Sequence, residues 1–108
     1  MIKQLVVIRH AQAESHHKDF ERELSAFGIK QIESIAKKIS IQAIKIDKVL
    51  YSAAKRTEQS AELLVSHLGQ KILMEADDQL YLSSVSYLYD AIAITDSSTA
   101  TLCLIGHN

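Results

Sequence analysis

Four consecutive apolar residues, Leu5-Val6-Val7-Ile8, are the first strong pattern in the chain, and similar β-branched runs recur at Val49 to Tyr51 and Thr101 to Ile105. Short unbroken runs of this kind, without the polar alternation of a half-exposed strand, predict strands buried on both faces. A weaker run at Ile72 to Met74 predicts another. Between the runs the period changes to 3.6. Ile29, Ile32, Ile35, Ala36 and Ile39 fall on one helical face, with Lys30, Glu33, Lys37 and Lys38 mostly on the other, and Ser25 stands where an N-cap belongs. A second helix is predicted from about Lys55 to Leu68, with Ala61, Leu64, Val65 and Leu68 as its apolar stripe and Gly69 as its stop. A third, less regular, spans Val85 to Ile94. Strands alternating with helices imply an α/β fold, a three-layer sandwich with a mostly parallel sheet.

Composition narrows this picture. A chain of 108 residues without proline and with three glycines shows no linker or repeat, so residues 1–108 read as a single domain. Twelve basic residues against thirteen acidic ones leave a net charge of −1, too little for a field that gathers nucleic acid or an anionic membrane. Neither is expected as a partner. The longest apolar run near the start is far too short to span a bilayer. Cys103 is the sole cysteine, which rules out an intrachain disulfide and suits a cytoplasmic location.

Ligands in open α/β sheets bind beyond the carboxyl ends of the strands, so the chemistry is sought there. Strand one ends in Arg9-His10, strand two runs into Ser52 and then Arg56, and the last strand runs into Gly106-His107-Asn108. Two arginine forks match the oxygens of a tetrahedral phosphoryl dianion. Arg56 lies near a predicted helix start, whose N–H groups add positive character. A neutral imidazole in that setting can attack phosphorus and hold the group until water removes it. Flanking arginines disfavour its protonation and keep the lone pair available. An Arg-His pair after a strand is weak by itself. The convergence of three strand ends is what favours catalysis.

These residues resemble the histidine phosphatase superfamily, whose first-strand signature Arg-His-Gly reads here Arg9-His10-Ala11. Glu23-Leu24-Ser25-Ala26-Phe27-Gly28 looks like the family's Leu-Thr-x-x-Gly segment. The stretch from Ser52 to Ala61 is similar to its Ser-Pro-x-x-Arg-x-x-Gln-Thr-Ala, and Gly106-His107-Asn108 to its Gly-His-Asn-Pro. The resemblance implies a phosphoglycerate mutase-like fold and a phosphoenzyme on His10, with Arg9, Arg56 and His107 as catalytic residues. The substrate-binding set becomes Arg9, Arg56, Ser52, His107 and Asn108, with no metal or other cofactor. Ala11 and the absence of room for large cap insertions resemble the small SixA-type phosphohistidine phosphatases. Where the mutase branch places a Glu in a Leu-x-Glu context, this chain has Leu80-Tyr81-Leu82. That favours a P–N substrate, whose imidazole leaving group can already carry a proton. Glu75, Asp77 and Asp78 are the alternative acids.

The expected substrate is a phosphorylated protein, a histidine-containing phosphotransfer domain. The competing readings are a phosphatase for a small phosphate ester, or a catalytically impaired phosphate-binding fragment. The family continues beyond Gly-His-Asn, so the chain reads as truncated at the C-terminus, and a homodimer through the uncovered surface is expected. His16 and His17 are read as residues of a solvated loop and not as metal ligands, and His67 as a cap or surface residue. Cys103 is read as core, because no arginine follows it to complete a phosphate loop. Tyr81, Tyr87 and Tyr89 are read as packing residues.

Overall fold

The structure, a computed structural model, describes residues 4–77 and 99–106. In chain order they form β1 (Gln4–Arg9), α1 (Ala26–Ile41), β2 (Lys48–Ser52), α2 (Lys55–Leu68), β3 (Leu73–Asp77) and β4 (Thr101–Gly106), with a 3-10 turn at Asp19–Glu21. The four strands make one parallel sheet in the order β1-β4-β2-β3. The predicted third helix, Val85 to Ile94, lies outside the described residues, as do Leu80 to Leu82 and the tyrosines 81, 87 and 89.

β4 meets the expectation of a doubly buried strand, since Leu102 and Leu104 are buried on one face and Cys103 and Ile105 on the other. β1 does not. It is an edge of the described sheet, and its alternate residues Leu5 and Val7 are 44% and 64% exposed while Ile8 is buried. A run of β-branched residues looks the same whether one face or both are covered, so the pattern could not separate the two strands.

The principal core lies on the face bearing Ile8, Val49, Cys103 and Ile105, against Ile32, Ala36 and Ile39 of α1 and Ala61 and Leu64 of α2. Helix α1 starts as its cap predicts, with the Ser25 hydroxyl accepting from the Gly28 N–H at 3.0 Å. Ile32, Ala36 and Ile39 of the predicted stripe are buried and Ile35 packs against them, so the face differs from the sequence reading only at its first turn. Gly28 is buried and Ile29 exposed, because the first turn of α1 presses on the loop after β1. A Cβ at Gly28 would stand 2.1 Å from the Gln12 carbonyl oxygen, so only glycine permits that approach. Helix α2 ends at Gly69, which takes the left-handed conformation at φ 63°.

At the amino end of the sheet, Asp47 joins the strands. Its carboxylate accepts from the Ala100 and Thr101 N–H groups at 3.1 and 2.9 Å, and its backbone carbonyl accepts from Leu73. In the ladder Arg9 stands opposite Gly106 and Tyr51 opposite Ile105, so the carboxyl ends of β1, β2 and β4 lie level at the opposite edge.

Candidate active site

His10 is the first residue beyond β1, and both its backbone and its ring are held by hydrogen bonds. Its N–H donates to the Gly106 carbonyl at 3.0 Å, which carries the β1–β4 ladder one step past the strand. The ring Nδ1 lies 2.7 Å from the Ala11 carbonyl, an oxygen that can only accept. Nδ1 therefore carries the proton, and Nε2 presents the lone pair. That lone pair faces the Arg56 Nε–H at 3.3 Å. Burial above all, and then the charges of Arg56, Arg9 and Arg22, hold the imidazole below its ordinary value of 6.5, against an opposite pull from the Ala11 carbonyl. The result is a neutral imidazole with a directed lone pair beside cationic groups.

Helix α2 organises the surroundings through consecutive polar residues on its buried face. Arg56 has a side chain only 6% exposed. The Thr57 hydroxyl donates between the carbonyls of Ser52 and Ala54, which tightens the turn into the helix. The Gln59 side-chain oxygen Oε1 accepts from the Leu24 N–H at 2.7 Å. The Ser60 hydroxyl donates to the Arg56 carbonyl at 2.8 Å and accepts from the Ala11 N–H at 3.2 Å, so it braces the loop that carries His10. A face read as apolar in sequence is thus half polar, with Arg56, Thr57 and Ser60 buried and each one bonded.

Residues 12–25 form an excursion pinned at both ends. Ala13 bridges Leu24, the Gln12 N–H donates to the Gln31 side chain at 2.8 Å, and the Ser25 N–H donates to the Gln12 carbonyl at 2.9 Å. The tip returns to the site. Arg56 donates from Nη1 to the Asp19 carbonyl at 2.7 Å and from Nη2 to the Asp19 carboxylate at 3.0 Å. The other carboxylate oxygen of Asp19 accepts from Arg22 Nη1 at 3.2 Å.

The residues expected from sequence are distributed unevenly. Arg9, His10 and Arg56 come together at one sheet edge, with Arg9 exposed. Ser52 is fully buried at the end of β2, and its hydroxyl accepts from the Ala54 N–H at 3.4 Å at the turn into α2. Glu75 of β3 pairs with Lys48 at the start of β2, whereas Asp77 ends β3 in register with Ser52. His107, Asn108 and Asp78 lie outside the described residues. Sequence reading missed Asp19, Arg22, Gln59 and Ser60. An Asp and an Arg three residues apart just before a helix cap were the available signal for the first pair.

Cys103 is fully buried, and burial pushes its thiol up to about 12, so it stays a protonated core residue. The His16 and His17 rings stack at 4.4 Å in the exposed excursion, and among the described residues no group of ligands could hold a metal. His67 reaches Glu33 across the α1–α2 seam at 4.0 Å. No described helix is long and apolar enough to cross a membrane.

Fold and site together define a phosphoglycerate mutase-like α/β protein with a histidine among arginines at the carboxyl edge of a parallel sheet. The profile of the histidine phosphatase superfamily (branch 1) matches residues 5–81. The chain belongs to this superfamily, and by class it is a phosphatase. Among solved structures, a protein from Agrobacterium tumefaciens designated phosphohistidine phosphatase SixA superposes with a TM-score of 0.92 at 24% identity, over 100% of this chain and 71% of its own. A protein histidine phosphatase SixA solved with tungstate gives 0.88 at 25% identity, over 96% and 69%. A phosphoglycerate mutase from Plasmodium falciparum gives 0.69 at 16% identity, over 96% and 60%. A search of curated proteins returned no match.

Proposed function

We propose that the chain hydrolyses phosphohistidine on a protein partner, a phosphotransfer domain, through a covalent phosphohistidine on His10. The observation that carries this reading is the His10 ring, with Nδ1–H held by the Ala11 carbonyl and the Nε2 lone pair directed to Arg56. Nε2 attacks phosphorus as the bond to the substrate nitrogen breaks, and the departing imidazole leaves neutral because it already carries a proton. Water then attacks the phosphoenzyme, releasing inorganic phosphate and restoring neutral His10. Arg56 and Arg9 offset charge on the equatorial oxygens throughout. In this reading His107 serves as a hydrogen-bond donor to the transferring group and Asn108 as a further substrate-binding residue. The likeness to SixA proteins, one of them solved with the tetrahedral oxyanion tungstate, supports a phosphorylated protein over a small ester.

The test compares a phosphohistidine protein and phosphoramidate with an aryl phosphate ester, and traps the intermediate. Acid-labile phosphate is expected on His10, and His10→Ala should lower turnover on the order of 10³-fold or more. Equal turnover by His10→Ala rejects the assignment. A preference for the ester instead selects the small-phosphate reading.

A further inference from the structure

We infer that Asp19 is a positioning residue for the phosphate-binding Arg56, a role that rests on the phosphatase reading above. Its geometry is more specific than a surface ion pair. Arg56 meets Asp19 twice through Nη1 and Nη2, once at the backbone carbonyl and once at the carboxylate, while Nε is turned to His10. The end of the guanidinium is therefore gripped by Asp19, and the edge containing Nε faces the point where phosphorus must arrive. The second carboxylate oxygen holds Arg22, whose own Nε donates to the Glu14 carbonyl at 3.0 Å. One carboxylate thus bridges two guanidinium groups that would otherwise repel one another, and both of them act on the His10 imidazole.

The environment makes this bridge consequential. Arg56 is almost wholly enclosed, so a buried cation needs its hydrogen bonds satisfied, and an arginine side chain has much rotamer freedom to lose. Asp19 sits in the 3-10 turn at the tip of an excursion whose base is fastened by Gln12, Ser25 and Gln59. The excursion delivers the carboxylate to a site assembled 37 residues further along the chain. In the alternative role, Asp19 would only occupy the phosphate's place and be displaced by it. The two roles predict opposite effects on anion binding.

The experiment uses Asp19→Ala, Arg56→Ala and the double variant in the full chain. Positioning predicts that Asp19→Ala lowers kcat roughly 10- to 100-fold with a much smaller change in KM. It predicts a Kd for inorganic phosphate raised by about tenfold. In the Arg56→Ala background the Asp19 change should add nothing, since its effect passes through that arginine. An unchanged kcat, an equal loss in both backgrounds, or tighter phosphate binding overturns the inference. If the wild-type chain turns nothing over, the functional reading fails and the phosphate titration still decides the role of Asp19.

Discussion

At the residue scale, His10 is built for attack by two features that act in the same direction. The Ala11 carbonyl selects the tautomer, and burial with three arginines keeps the ring unprotonated. Only the neutral ring has a lone pair, so activity is lost as pH falls through the His10 pKa of the folded protein. Because that value is lowered, the acid limb of kcat/KM should lie below pH 6.5. Arg22→Gln removes one of the depressing charges and should move the limb upward, which a pH–rate profile on phosphoramidate would show. A limb that stays in place or moves down would remove Arg22 from the site's electrostatics. Asp19 acts against these cations in charge yet with them in geometry, which is why its substitution is read through kcat and phosphate affinity.

At the element scale, α2 contributes more than its apolar stripe suggests. Ser60 and Gln59 fasten two separate loops to the helix that carries Arg56, so nucleophile, arginine and excursion move as one unit. The start of α1 is as tightly constrained from the other side. Gly28→Ala would force a methyl into the Gln12 carbonyl, and overpacking of this kind costs about 1–3 kcal/mol. Urea denaturation should show at least that loss, and a neutral result would mean the Gln12 loop yields freely. The cap at Ser25, the span of α2 and its stop at Gly69 were all legible in sequence, since each depends on local backbone chemistry. The Ile29 position was not legible. The side of α1 that meets the Gln12 loop is set by a contact between distant segments.

At the scale of the whole molecule, the sheet is unequal across its width. β4 lies between β1 and β2 with both faces buried, whereas β1 and β3 form the two edges of the described sheet. Protection against exchange follows burial and pairing. Amides of Leu102 to Ile105 should therefore exchange slowest, with those of Leu73 to Asp77 fastest among the four strands. Hydrogen exchange followed by NMR would check this, and uniform protection would contradict it. The site draws its rigidity from the same asymmetry, because His10 extends the ladder onto the well-buried strand. Over the described residues, sequence alone determined the strand and helix succession, and placed Arg9, His10 and Arg56 at strand ends, because periodicity and strand-end placement are local properties. Tertiary structure alone decided that Ser52 is buried at the turn into α2, that β1 is an edge of the described sheet, and that Asp19 and Arg22 reach the site. Each of those outcomes depends on segments far apart in the chain meeting in space, where charge, exclusion of water and close approach of backbones decide the role of a side chain.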